Sequence, residues 1–199
     1  DKRKVIFEEF KRLDSHQTRA EKGLGLGLAK AFVAQGWTVA ATVRSAAQQA
    51  SLQGLGVRVE QLEMTDPASL EQLAGRLSGQ QFDVIFINAG VAGPDHHSTA
   101  QASAEEMGQL FLTNAVAPLR VAERLLPNLA AEHGLLVFMS SILGSIETGA
   151  GMGMPLYGAS KAALNHLTQC FVRSQNNPKL GVLLMHPGWV RTDLGGGDR

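Results

Sequence analysis

Residues 82–90, Phe-Asp-Val-Ile-Phe-Ile-Asn-Ala-Gly, contain an apolar run of strand length that ends on a polar amide and a glycine. Its apolar character is nearly continuous, which reads as a strand buried on both faces of a helix-covered parallel sheet. The pattern recurs downstream, where Leu135–Met139 ends in Ser140-Ser141 and Leu180–Met185 ends in His186-Pro187-Gly188. Upstream, Trp37–Val43 and Val57–Leu62 are further β-rich runs. Helical patterns fill the intervals at Leu24–Ala34, from Asp66-Pro67 onward, at Ala104–Ala130 and at Pro155–Arg173. Asp66 is suited to cap its helix, with Pro67 at the first position, where a missing N–H costs nothing. Alternating strands and helices predict an α/β fold, a Rossmann-type doubly wound parallel sheet with helices on both faces. No repeat or low-complexity linker interrupts it.

Composition narrows the function classes. The 18 basic and 18 acidic residues cancel and no basic stretch stands out, which argues against nucleic acid as a partner. A hydrophobic fraction of 44% is enough for a proper core. No apolar run reaches membrane-spanning length and no signal-peptide core opens the chain, so the expected location is cytoplasmic, away from membranes. Cys170 stands alone within an apolar helical pattern and is expected to be a buried structural thiol. His96-His97 and the other four histidines show no repeated ligand spacing, and no metal is expected.

Tyr157-Gly-Ala-Ser-Lys161 places a phenol and an ammonium at i and i+4, on one helix face. A free phenol titrates near 10, too high for efficient proton transfer at neutral pH, and a nearby cation lowers that value. Such a pair can protonate an incipient alkoxide or deprotonate an alcohol. The spacing alone fits an exposed helix face equally well, but Tyr157 is the only tyrosine in the chain. Ser141 ends a strand, where ligands of open α/β sheets bind, and its hydroxyl can donate to a developing oxyanion. Asn88-Ala89-Gly90 and Pro187-Gly188 end two more strands, with ordinary turns as the alternative. Thr18 to Gly25 precedes the first clear helix, and glycines there let main-chain N–H groups approach a pyrophosphate. Arg44 follows the next strand. An arginine there accommodates a ribose 2′-phosphate, where an acidic residue would favour the free hydroxyl of NAD.

Taken together, TxxxxGxG at Thr18–Gly25, NAG at Asn88–Gly90, Asn114 within FLTNAVAPL, Ser140-Ser141, YxxxK at Tyr157–Lys161 and PGWVRTD at Pro187–Asp193 resemble the short-chain dehydrogenase/reductase family. SSILGS and HPGWVRTD look most like its C-factor-like branch. The resemblance implies an oxidoreductase moving hydride between NADP(H), with NAD(H) the alternative, and a small carbonyl or alcohol. Tyr157 would be the general acid/base, Lys161 would lower its pKa and hold the nicotinamide ribose, and Ser141 would hold the substrate oxygen. Asn114 would support a water relaying protons from Lys161. Thr18, Gly23, Leu24, Gly25, Arg44, Glu63, Met64, Asn88, Ala89 and Gly90 would border the phosphate and adenosine parts of the cofactor. Glu63 stands where the family often has aspartate. Pro187, Gly188, Val190 and Thr192 would border the nicotinamide end. Many relatives pack the helices around 104–130 and after Tyr157 into a homodimer.

The sequence departs from the family at both ends. Arg19 replaces the glycine expected after Thr18, and Leu13–Gln17, where the first strand should lie, is polar. Buried unpaired, each such polar group would cost on the order of 1–3 kcal/mol. Either Lys4–Phe7 forms the strand with an enlarged loop to Gly23, or Ile6, Phe7, Phe10 and Leu13 mark an amphipathic helix and the central strand is missing. The helix is the preferred expectation. Residues 1–17 thus read as an atypical N-terminal segment. Residues 18–199 read as a dinucleotide-binding oxidoreductase domain that is incomplete at its C-terminus. Arg19 motivates a competing expectation: a non-catalytic or signalling protein that keeps the fold with weak cofactor binding.

Overall fold

In the computed structural model, which describes residues 2–8 and 24–188, the chain runs through β1 (Lys4–Glu8), α1 (Leu24–Ala34), β2 (Thr38–Val43), α2 (Ala46–Gln49) and β3 (Arg58–Gln61). It continues through α3 (Pro67–Arg76), β4 (Val84–Ile87), α4 (Ala104–Phe111), a π-helical turn (Leu112–Val116) and α5 (Ala117–Leu125). The last elements are β5 (Leu135–Met139), a 3₁₀ turn (Ile142–Gly144), α6 (Pro155–Gln175) and β6 (Gly181–Met185). All strand pairs are parallel, in the order β3-β2-β1-β4-β5-β6. The strand order reverses at β1, which places a ligand crevice beyond the carboxyl ends of β1 and β4.

One expectation is corrected here: Lys4–Phe7 belongs to a strand, and that strand is central. Phe7 pairs with Ala41 of β2 on one side and Phe86 of β4 on the other. Val5, Ile6 and Phe7 are all fully buried. The helical spacing of Ile6, Phe7, Phe10 and Leu13 lost because three consecutive apolar residues suit a doubly covered strand, and two neighbouring strands supply the hydrogen bonds.

Side chains along each strand alternate between two cores. Ile6, Ile85, Ile87, Leu136 and Phe138 face α3, α5 and α6, packing with Leu70, Leu73, Val121, Leu125, Leu164 and Phe171. Val5, Phe7, Val39, Ala41, Phe86 and Val137 pack on the opposite face with Leu26, Ala29 and Leu52. Asp66 caps α3 as expected, accepting from the Ala68 N–H at 3.0 Å, with Pro67 in the first turn. At the outer edge, the buried Glu60 carboxylate of β3 is clamped by Arg58 at 2.5 Å and by Arg76 of α3 at 2.7 Å.

Candidate active site at the switch point

Tyr157 and Lys161 lie in the first two turns of α6, and both are buried, Lys161 to 2% exposure. The helix starts with Met154 in the left-handed region (φ +52°) followed by Pro155. A left-handed non-glycine residue is strained backbone of the kind that clusters near functional sites. Two glycines draw Ser141 toward this helix. A Cβ on Gly144 would lie 2.9 Å from Lys161 main-chain and Cβ atoms, and one on Gly158 would lie 2.7 Å from the Leu143 carbonyl. The 3₁₀ turn after Ser141 can therefore rest directly on the first turns of α6.

The ammonium of Lys161 donates to the Met139 carbonyl at 2.9 Å and sits 5.7 Å from the centre of the Tyr157 ring. Burial depresses its pKa to about 8. Burial also pushes the Tyr157 phenol up to about 12, against the opposing pull of the Ser141 hydroxyl. In this geometry burial is the largest influence on the phenol. Desolvation disfavours the phenolate, while the Lys161 ammonium is turned to the Met139 carbonyl.

Asn114 occupies the π-helical turn and is completely buried. Pro118 lies four residues on and cannot donate the helical N–H that the Asn114 carbonyl would normally accept, which accounts for the local widening. The Asn114 side chain accepts from the Val91 N–H at 2.7 Å and donates to the Val91 carbonyl at 2.8 Å and to Ser160 Oγ at 2.9 Å. Both amide protons are committed, so a water relay could use only its carbonyl groups. Ser160, which bonds both Asn114 and the Tyr157 carbonyl, is a member of this cluster that the sequence motifs do not name. A small polar residue at an inward position of an apolar helix was its available signal.

Beyond β4, a Cβ on Gly90 would meet both Asn114 Oδ1 and Lys161 Nζ at 3.2 Å, so Gly90 joins the loop after β4 to the Lys161 cluster. Asn88 is 5% exposed, and neither of its side-chain polar atoms has a partner among the described residues. Ala89 packs partly buried against the first core. Arg44 directly follows β2, with its N–H donating to Gln48 and its carbonyl accepting from Gln61. The Glu63 carboxylate closes a turn by accepting from the Thr65 N–H and hydroxyl, at 3.1 and 2.7 Å. Met64 is a core residue, leaving only its main chain available to a ligand. Leu24 and Gly25 open α1, while Pro187 and Gly188 (φ +75°) follow β6 on the exposed surface. Thr18, Gly23, Val190 and Thr192 lie outside the described residues.

Cys170 is exposed, correcting the buried-thiol expectation. The inward face of α6 is carried by Leu164, Thr168 and Phe171, which turns Cys170 toward an outer groove shared with Val116, Leu119 and Arg120 of the π-helical turn and α5. Among the described residues no group of three or more His, Cys, Asp or Glu side chains is placed to hold a metal ion.

The family model for short chain dehydrogenases matches residues 18–199. The chain belongs to the short-chain dehydrogenase family. Short-chain dehydrogenase RED3 of Pyricularia oryzae is 33% identical over 193 residues, covering 89% of this chain and 76% of that protein. C-signal of Myxococcus xanthus is 35% identical over 119 residues, 58% of this chain and 70% of that one. A carbonyl reductase from Pseudomonas aeruginosa PAO1, solved in complex with NADP, has a TM-score of 0.81 and 34% identity, covering 98% of this chain and 86% of that chain. A Burkholderia multivorans structure assigned to the short-chain dehydrogenases/reductases, with bound NADP, gives 0.87 at 35% identity, covering 100% and 84%. By class, this short-chain dehydrogenase is an NAD(P)-dependent oxidoreductase.

The residues present suit a dinucleotide. Asn88 holds an unsatisfied amide at the carboxyl end of β4, a cost of about 1–3 kcal/mol that a polar ligand would offset. Gly90 offers close backbone approach beside it. Lys161 brings an ammonium with three protons, one of them donated to Met139.

Proposed function

We propose that this short-chain dehydrogenase transfers hydride between NADP(H) and a small carbonyl or alcohol, using Tyr157, Lys161, Ser141 and Asn114. The observation that carries this reading is the buried pair Tyr157 and Lys161, packed against the turn after Ser141 and beside Gly90 at the switch point. When bound, the nicotinamide supplies or accepts the hydride. In the reduction direction, Ser141 donates a hydrogen bond to the carbonyl oxygen, and Tyr157 gives that oxygen its proton as the alkoxide develops. A phenol pushed up to about 12 stays protonated through the neutral range, the form needed to donate in the reduction direction. Lys161 would hold the ribose and stabilise the phenolate left behind. A water on the Asn114 carbonyl, which Pro118 cannot satisfy, would return the proton.

Arg44 and the NADP-bound relatives support NADP(H) over NAD(H). Asn88, Ala89, Gly90, Glu63, the Met64 main chain, Pro187 and Gly188 would border the cofactor, together with Thr18, Gly23, Leu24, Gly25, Val190 and Thr192. Residues 18–199 with β1 would form one oxidoreductase domain. No helix among the described residues is long and apolar enough to cross a membrane, and the proposed location is cytoplasmic. The outer groove between α5 and α6, with Val116, Leu119 and Leu167, would seat a second copy as a homodimer. The test is titration of the purified chain with NADPH and NADH, followed by nicotinamide fluorescence. NADPH should bind at least about tenfold tighter, a difference of roughly 1.4 kcal/mol. Binding of neither would overturn the reading and favour the non-catalytic alternative that Arg19 motivates.

A further inference from the structure

Resting on the reading above, we propose that Ser160 is a positioning residue that ties the cofactor-side loop at Gly90-Val91 to the helix turn carrying Tyr157. Ser160 is completely buried. Its one proton is donated to the Tyr157 carbonyl at 2.7 Å, and its oxygen accepts from Asn114 Nδ2 at 2.9 Å. Asn114 in turn grips both the N–H and the carbonyl of Val91. The main chain beside Gly90 is therefore linked to the main chain of Tyr157 through two side chains and direct hydrogen bonds.

Helix formation by itself does not require this link. Alanine is the better helix former, and a serine hydroxyl bonded to a preceding carbonyl slightly weakens a helix. Burial alone does not explain it either. Thr168, two turns later and 1% exposed, has a hydroxyl with no partner among the described residues. What distinguishes Ser160 is its second bond, which reaches a different element. Gly90 closes the other side of the cluster, since the space of its missing Cβ is bounded by Asn114 and Lys161. A ligand that fixes this loop therefore also fixes the distance from the loop to Tyr157. Among the described residues, Lys161, on its own helix, faces the Tyr157 ring, and the Ser141 hydroxyl faces its phenol.

Because Tyr157 is the sole tyrosine, near-ultraviolet tyrosinate absorbance reports its ionisation without any substrate. In the unmodified protein, saturating NADP⁺ should move that titration to lower pH, because a cationic nicotinamide ring favours phenolate. Ser160→Ala should keep NADP⁺ affinity at pH 7 within about threefold while reducing the ligand-induced displacement to roughly half or less, a loss of coupling between the two sites. Ser160→Cys, similar in size with a weakly bonding thiol, should fall between the two and carries the test if the alanine variant does not fold. An unchanged displacement overturns the proposal. So does parallel loss of NADP⁺ binding and thermal stability, which would reduce Ser160 to a packing role. If the unmodified protein binds no NADP⁺, the proposed function itself fails, and this inference with it.

Discussion

At the scale of single residues, burial moves Tyr157 and Lys161 in opposite directions, because in each it disfavours the charged form. Lys161 is depressed to about 8 from an ordinary value of 10.5. Between those values the unfolded chain binds more protons, so this residue's contribution makes the fold more stable as pH rises from about 8 to about 10.5. Tyr157 acts in the reverse sense, since its raised folded value means stability is lost as pH climbs from about 10 toward about 12. Lys161→Met removes a buried charge of similar length. It should raise Tm at pH 7 by a few degrees, at about 2–4 °C per kcal/mol for a chain this size, and abolish the stability gain above pH 8. Thermal denaturation of both proteins across pH reads this, and an unchanged profile would contradict the burial argument. Turnover by Lys161→Met should be lost in the same samples. Tyr157→Phe keeps the ring and deletes the proton. It should lower kcat by a factor of at least about 10³ with NADPH affinity within about twofold, measured by steady-state kinetics and fluorescence titration. Activity equal to the parent would exclude Tyr157 as the acid.

At the scale of elements, the clearest coupling is the clamp between β3 and α3. Burial pushes the Glu60 carboxyl up, but hydrogen bonds and charge from Arg76 and Arg58 outweigh it and hold it below its ordinary range. The stability this contributes is present above the ordinary carboxylate range and is lost as pH falls through the lowered value. Both arginines are about two-fifths exposed, which screens the interaction. Glu60→Gln should therefore cost only about 0.5–1 kcal/mol, a Tm drop of roughly 1–4 °C, and should make the loss of stability in acid shallower. Scanning calorimetry at pH 7 and pH 4 would show it. Strands β2 to β6 and the long helices were legible in sequence, because apolar runs and 3.6-residue spacing are local signals. The π-helical turn and the Glu60 clamp were not. The first depends on Pro118 failing to serve a carbonyl four residues back, and the second joins side chains brought together only by the fold. The Tyr157 and Lys161 pair could be found from its spacing, whereas its electrostatics could not, since they depend on burial and on the Met139 carbonyl.

At the scale of the whole molecule, β1 is the element that local pattern does not reveal. Five residues are too short for periodicity to separate strand from helix, and the polar stretch that follows argued against a central strand nearby. Tertiary context decided it: β2 and β4 each present an edge that β1 satisfies. Phe7 is 1% exposed on the second core, so Phe7→Ala should cost about 3–5 kcal/mol and lower Tm by roughly 6–20 °C. A change under 2 °C in calorimetry would mean that β1 is not anchored where it appears.

The central place of β1 bears on how the chain assembles. A seam between two halves of the sheet is closed by β1, which pairs with β2 on one side and β4 on the other. The β2–β3 half and the β4–β6 half can each gather locally, but they become a continuous surface only when that strand slots between them. Crowding β1 would therefore act like pulling a zip from its middle, opening the crevice before either outer edge frays.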